Sequence, residues 1–447
     1  MKRSNELLAG WGNVRPARCS VLRPGPEQAA SSIVEQVADN TWIARGLGRS
    51  YGDSAQNDAG VVIDSTARNK ILRIDVEKRT LTAQAGASLA DILSIIVPAG
   101  FFLPVSPGTQ YVTLGGAIAA DVHGKNHHVD GSFGEHLESL VLQTASGQRL
   151  LCSREQHADI FHATQGGMGL TGLIDEATFR LLPIESTRIS VVASRTSNLE
   201  ETLARLESTS SRYRYSVSWI DVLASGSALG RGWVLAGDHV PNQNKEPLRW
   251  QPKAWGSVPF FMPSSLLSRT TCGWFNSRVY RRGIVTGDSV SLEQFFYPLD
   301  RIHHWNRIYG RRGFIEYQAV IPTENAHRGL AGLLERIASS GIPAFFAGIK
   351  ATGAAGKGPL SFLVPGMTLG IDFPWRAGVE DLVDQLDRWV IKHGGRVYLA
   401  KDALLYVDHF RAMYPRLTEF QAICDRLDPE RRLVSDQSRR LQIRSQD

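Results

Sequence analysis

Three glycine clusters between residues 45 and 172 constrain this chain more than any other feature. The first is Arg45-Gly46-Leu47-Gly48-Arg49-Ser50-Tyr51-Gly52-Asp53, behind a strand-like Trp42-Ile43-Ala44. The second runs from Pro107-Gly108-Thr109 through Thr113 to Gly115-Gly116-Ala117-Ile118, and the third is Gly166-Gly167-Met168-Gly169-Leu170-Thr171-Gly172. Glycine admits positive φ and lets backbone N–H groups approach phosphate oxygens. One such cluster reads as tight turns in a β-rich domain. Three, with Ser, Thr and Arg among them, point to an anion site of dinucleotide size. None matches Gly-x-Gly-x-x-Gly opening a helix or Gly-x-x-x-x-Gly-Lys-Ser/Thr, so neither a Rossmann crevice nor a P-loop is implied. Spacing alone goes no further.

The rest of the chain sets the frame. At 447 residues it exceeds one hydrophobic core, so two domains are expected. The formal charge of +6 favours an anionic partner, a phosphate ester or an acidic membrane face, and is too weak to imply nucleic acid. Cys19, Cys152, Cys272 and Cys424 are scattered with no Cys-x-x-Cys, which suits a reducing compartment and signals no zinc site. The start lacks an apolar leader and no stretch is long and apolar enough to span a membrane. Residues 40–185 carry short strands at 61–63 and 71–74 and a hairpin across Ser146-Gly147. Ser88 and Asp91 cap a helix that stops near Pro98 and Gly100. Later, Asn198 and Glu201 cap a second helix, and a striped third begins near Gly378 and ends at Gly394. Strands are expected at 214–220, 314–321 and 369–373. Helices beside an antiparallel sheet make this half an α+β domain.

The string Asp121-Val122-His123-Gly124-Lys125-Asn126-His127-His128, taken with the first two glycine clusters, resembles the FAD-binding domain of the vanillyl-alcohol-oxidase and p-cresol-methylhydroxylase superfamily. Within it the chain is most similar to the decaprenylphosphoryl-β-D-ribose 2′-oxidase family. Phe296-Tyr297-Pro298-Leu299-Asp300, Trp305-Asn306-Arg307 and Ala400-Lys401-Asp402 also fit, and the similarity spans nearly the whole chain. The resemblance implies a two-domain α+β flavoprotein. Residues 1–187 would bind FAD, 188–395 would form the substrate domain, and 396–447 would return to the FAD-binding domain.

It also implies roles. Arg45, Gly46, Leu47, Gly48, Arg49, Ser50 and Tyr51 would meet the FAD pyrophosphate. Gly108, Thr109, Thr113, Gly115, Gly116, Ala117, His123, Gly124, Lys125, Asn126, Gly172 and Ile174 would line the rest of the cofactor. Many superfamily members attach flavin through a histidine at the position of Arg49, so here the FAD should be dissociable. Lys401 matches the family's flavin-proximal lysine, and Tyr51 and Tyr398 its active-site tyrosines. Lys125, Trp219, Gln318, Lys350 and Lys401 would hold substrate. Three departures stand out: a family glutamine is Glu316, a pocket asparagine is Thr368, and the cysteine captured by nitroaromatic inhibitors in actinobacterial members is Gly370.

The implied reaction oxidises the ribose C2′ hydroxyl of a polyprenylphosphoryl ribose, with hydride passing to FAD. A separate nicotinamide-dependent reductase would complete the epimerisation to an arabinose donor for the cell envelope. A soluble polyol or aldonolactone oxidase of the same superfamily and a non-catalytic flavin-binding subunit stay open. Lys401 suits a fixed cation at the flavin carbonyl edge, against an ordinary salt bridge with Asp402 or another acid. His123 is read as a proton-handling or flavin-shaping residue, against a structural hydrogen bond. A metal at His123, His127 and His128 is rejected because no acidic or thiol ligand completes the shell. Tyr51 and Tyr398 either position the hydroxyl or simply pack. The apolar stretch from Trp255 to Leu267 is a membrane contact, a lid or a buried loop. A cytoplasmic location, peripheral to the inner membrane, is expected, with the periplasmic face left open because relatives have been placed there.

Overall fold

A computed structural model describes residues 3–242, 246–283 and 288–444. Two sheets make the first domain. In one, Arg3–Leu8, Ala17–Leu22, Val61–Asp64 and Trp42–Arg45 lie in that order, the first pair antiparallel and the others parallel. The other is antiparallel, in the order Ile71–Asp75, Thr80–Gln84, Leu173–Arg180, Leu137–Gln143 and Arg149–Ser153. The last two strands are the expected hairpin. Helix Leu89–Ile96 starts where the sequence places it. Ser88 and Asp91 form a reciprocal capping box, and Leu89, Ile92, Leu93 and Ile96 are buried.

Two further antiparallel sheets build the second domain. One runs Tyr215–Ile220, Gly232–His239, Arg188–Thr196, Ser289–Ser291; the other Ala347–Thr352, Gly366–Pro374, Phe314–Pro322, Arg396–Val397. Ser218 joins them: its hydroxyl donates to the Ile349 carbonyl at 3.2 Å and accepts from the Ile349 N–H at 3.0 Å. Helices Leu199–Ser210, Ala326–Ser339 and Val379–Lys392 bury their apolar stripes against these sheets. Asn198 caps the first of them, accepting from the Glu201 N–H, as the sequence predicts.

The chain then returns to the first domain. The Trp42 N–H donates to the Arg432 carbonyl at 2.7 Å and the Val434 N–H to the Trp42 carbonyl at 3.0 Å. Arg440 holds Asp53 through both carboxylate oxygens, at 2.9 and 2.7 Å, and reaches Asp402 at 2.8 Å. That buried clasp ties the first glycine loop to the segment carrying Lys401. Among the described residues no helix is long and apolar enough to cross a membrane.

Candidate active site

A cavity of about 1110 Å³ lies between the glycine loops and the second domain's sheets. It exceeds what a drug-sized ligand needs and fits a dinucleotide with a substrate beside it. At one end, residues 45–51, 106–109, 111–113, 115 and 116 line it, with Gly172 and Ile174. Gly48 is left-handed, at φ +64. A Cβ on Gly46 would collide with the Thr113 side chain, so the first two loops close only because hydrogen stands there. Thr113 in turn caps helix Leu114–Ala119, accepting from the Gly116 N–H at 3.1 Å. Among the described residues the N–H groups of Leu47, Gly48, Arg49 and Ser50 have no hydrogen-bond partner. Consecutive unclaimed amides of this kind form an anion-binding concavity, which is what a pyrophosphate requires.

The arginines of the first loop also brace it. Arg45 turns inward and donates to the Ala55 and Ala9 carbonyls at 2.9 and 2.7 Å. Arg49 lies 4.0 Å over the Trp11 ring and donates to the Tyr111 carbonyl at 3.1 Å. Both line the cavity, but their charged heads brace the loops. Two expected cofactor residues are corrected. Ala117 is fully buried on the inner face of its helix. Asn126 faces away, donating to the Pro104 carbonyl at 2.7 Å and to Asp130 at 2.6 Å. Neither borders the cavity.

The other end is polar and cationic. Strand Phe314–Pro322 turns Glu316 and Gln318 to the cavity by its period of two, and the neighbouring strands add Gly370, Gly348 and Lys350 in register. Lys401 Nζ lies 2.6 Å from Glu316 Oε2 and 4.0 Å from the Tyr51 ring centroid. Its acid partner is therefore Glu316; Asp402 is taken by Arg440. The Gln318 amide nitrogen donates to His123 Nε2 at 2.8 Å. His123 is buried, and burial, then the Lys350 and His127 charges, hold it well below the usual histidine range. A neutral ring accepting at Nε2 carries its proton on Nδ1, which has no partner among the described residues. Tyr398 donates its hydroxyl proton to the Ala120 carbonyl at 2.6 Å and stacks on Phe362. Trp219 lines the cavity while its indole N–H donates to the Phe345 carbonyl at 3.2 Å.

Lys125 and Lys350 complete this end. Lys125 rests beside the Phe295 and Phe296 rings and donates only a long, 3.4 Å bond to the Phe296 carbonyl. Burial, then repulsion from Lys350, lowers it to about 7. Burial lowers Lys350 to about 8, Glu316 pulling it up and Lys401 pushing it down. Neither lysine makes an ion pair within 4 Å among the described residues. The aromatic bed under Lys125 was missed by sequence reasoning. Its signal is the Ser291-x-x-Gln294 capping box that starts helix Leu292–Phe296. Thr368 does not border the cavity, and its buried hydroxyl lacks a partner among the described residues.

Trp255 to Leu267 is not a buried loop. Only Val258 and Leu267 are buried, while Trp255 is 71% and Phe260 62% exposed. Backbone bonds to residues 301–307 fasten it beside the cavity mouth, which Trp255 lines. No group of three or more His, Cys, Asp or Glu side chains able to hold a metal occurs among the described residues.

A profile of the FAD binding domain matches residues 20–153. The chain is 39% identical to the decaprenylphosphoryl-β-D-ribose oxidase of Mycolicibacterium smegmatis, with 98% of each chain covered. The chain belongs to the decaprenylphosphoryl-β-D-ribose oxidase family. It is also 26% identical to bovine (Bos taurus) L-gulonolactone oxidase over 89% of this chain and 90% of the relative. An L-gulono-1,4-lactone dehydrogenase of Mycobacterium tuberculosis is 23% identical over 97% and 99%. This member of the decaprenylphosphoryl-β-D-ribose oxidase family is thus a two-domain α+β, FAD-dependent oxidoreductase. The unclaimed amides and the Gly46–Thr113 contact fit that cofactor's diphosphate.

Proposed function

We propose that this enzyme oxidises the C2′ hydroxyl of a polyprenylphosphoryl-β-D-ribose to the 2′-ketone, using dissociable FAD. One observation carries the choice of substrate: Lys125 and Lys350 face the same cavity end without an ion-pair partner. Two desolvated ammonium groups that repel each other need an anion, and a sugar phosphodiester brings one to ribose. A neutral aldonolactone does not. Bound FAD supplies the hydride acceptor. Lys401 places a cation beside Tyr51 at the junction of the two cavity ends, where it offsets negative charge gained on reduction. Gln318 and His123 offer a neutral, paired hydrogen-bonding wall for the ribose. Arg49 stands where the superfamily resemblance implies a flavin-linking histidine, and an always-protonated guanidinium offers no free lone pair for such a link. The 2′-ketone would be consumed by a nicotinamide-dependent reductase acting on the same lipid-linked sugar.

The direct test is anaerobic. Polyprenylphosphoryl ribose is expected to bleach the flavin absorbance, and xylitol or gulonolactone to leave it unchanged at equal concentration. Acid denaturation is expected to leave the flavin in the supernatant. Bleaching by gulonolactone alone would move the chain to the aldonolactone oxidases.

The two lysines also predict a pH dependence. The ammonium form binds the anion, and both amines are charged below about 7 and neutral well above 8. The phosphodiester does not titrate in this range, so its Kd should rise with pH between 6.5 and 9. The slope is about tenfold per pH unit for each amine that must be protonated on binding. A Kd flat across that window, measured with a non-reacting 2′-deoxy analogue, would remove both amines from phosphate binding.

A lipid-linked substrate must be met at a bilayer. Beside the cavity mouth, Trp255, Phe260, Phe261 and Leu266 are exposed, as are Trp274, at 67%, and Phe275 on helix Arg269–Arg282. No acidic residue occurs from 247 to 287, while Arg269, Arg278, Arg281 and Arg282 do. Aromatic and basic side chains together suit an anionic interface. Replacing Phe260, Phe261 and Trp274 by serine is expected to reduce sedimentation with phosphatidylglycerol vesicles at least tenfold. Unchanged sedimentation would discard the membrane contact.

A further inference from the structure

Among the described residues, the sugar-facing end of the cavity holds one carboxylate, on Glu316. We propose that Glu316 is the base that takes the proton of the sugar hydroxyl, an inference that rests on the substrate reading above. The other candidates along this wall are committed. His123 Nε2 receives the Gln318 amide, and the Tyr398 proton goes to Ala120. Asp300 lies by the glycine loops, accepting from the Gln110 N–H at 2.9 Å. Asp372, opposite Glu316 on the adjacent strand, accepts from the Tyr309 hydroxyl and does not border the cavity.

Glu316 retains the capacity to accept. A carboxylate offers about four lone-pair sites; Lys401 occupies one on Oε2, and the Tyr51 hydroxyl also donates to the carboxylate, which leaves further sites open. The diagonal neighbour on the adjacent strand, paired with Gln318, is Gly370, and a Cβ placed there would lie 3.5 Å from Glu316 Oε1. The missing side chain leaves open space beside that oxygen. Around the carboxylate stand Lys401 from the C-terminal segment, Lys350 and Asp372 from adjoining strands, and Tyr51, Tyr309 and Tyr398.

The step balances. The hydroxyl O–H bond breaks and its proton goes to Glu316. The C2′–H bond breaks with its electron pair, which leaves as hydride for the flavin, and the C2′ carbonyl forms. Protonation of Glu316 also cancels the counter-charge of Lys401. A full positive charge is thereby uncovered beside the cofactor site in the step that brings negative charge there.

The test uses the yellow holoenzyme, Glu316→Gln and Glu316→Asp, in anaerobic stopped-flow bleaching across pH, with the 2′-deoxy analogue as a binding control. Wild-type bleaching is expected to fall towards acid. Glu316→Gln should bleach about 100-fold more slowly without that acid limb, and Glu316→Asp should keep the limb at a reduced rate. Analogue Kd should change little in either variant. Infrared difference spectra on mixing wild type with substrate should gain a protonated-carboxyl band that Glu316→Gln lacks. Bleaching of Glu316→Gln within about threefold of wild type with its acid limb intact would overturn the proposal, as would an identical carboxyl band in both. Wild type that the ribose lipid fails to bleach overturns the substrate reading instead.

Discussion

Lys401→Ala is expected to slow anaerobic bleaching by polyprenylphosphoryl ribose at least 100-fold, about 3 kcal/mol of barrier, the usual loss when one preorganised donor to developing negative charge is removed. The lysine is held from two sides, by Glu316 at 2.6 Å and by the Tyr51 ring at 4.0 Å. Its backbone is fixed as well: the Lys401 N–H donates to the Tyr398 carbonyl at 2.9 Å, and the Arg440 clasp anchors Asp402 beside it. A cation so placed costs no reorganisation during the reaction. Removing it, however, also strands the Glu316 carboxylate in a largely buried position, and an uncompensated buried charge is itself costly. Lys401→Ala with Glu316→Gln separates the two effects. If the lysine acts on the cofactor's charge, the double variant bleaches well below either single variant, because two separate contributions are lost. If it only neutralises Glu316, the double variant is no slower than Glu316→Gln alone. Flavin occupancy and the Kd of the 2′-deoxy analogue must be measured beside the rates. A single variant bleaching within a few-fold of wild type would remove Lys401 from the chemistry.

The parts of the fold legible in the sequence are those that local chemistry decides. Ser88 with Asp91 and Asn198 with Glu201 announce helix starts through side-chain acceptors three residues from a backbone donor, and both caps form. Strand Phe314–Pro322 is a nearly continuous buried run, and helix Val379–Lys392 follows its hydrophobic stripe. Arg3–Leu8 was not legible. Arg-Ser-Asn-Glu-Leu-Leu carries little strand character, and its conformation comes from pairing with Ala17–Leu22 and from the Arg23–Glu6 contact at 2.6 Å. Within the site, the glycine loops are legible because glycine is required where the loops touch, as at Gly46 against Thr113. The direction of a long polar side chain is not written locally. Arg45 and Asn126 sit inside matching motifs, yet both turn to backbone carbonyls of segments distant in sequence or folded back upon them. The Lys401–Glu316 pair joins residues 85 positions apart and becomes visible only when the C-terminal segment closes on the sheet.

A nitroaromatic inhibitor that acts by capturing a cavity cysteine is expected to leave this protein unmodified, and Gly370→Cys to gain one adduct. Capture needs a thiol at the cavity. All four cysteines are buried and none of them lines it. Burial also raises the thiols of Cys152 and Cys424, to about 11 and about 12, which leaves almost no thiolate near neutral pH. At Gly370 the strand pairs Gln318 on one side and Gly348 on the other. A Cβ there would meet Glu316 Oε1 at 3.5 Å and Gln318 at 3.8 Å, ordinary contacts that require no movement. Its backbone is not left-handed, so a side chain brings no strain, and losing a strand glycine stabilises by about 0.5–1 kcal/mol. Lys350, on the neighbouring strand, and Lys401 would favour the thiolate of the new cysteine, with Glu316 opposing them. Intact-protein mass spectrometry after turnover of substrate with such an inhibitor reads the outcome. Wild type should keep its mass, and Gly370→Cys should shift by one inhibitor. An adduct on wild type would mean that a buried cysteine reaches the reacting centre. An active Gly370→Cys enzyme that stays unlabelled would mean that Gly370 does not face the atoms being oxidised, and the register placing Glu316, Gln318 and Lys350 around the sugar would fall with it.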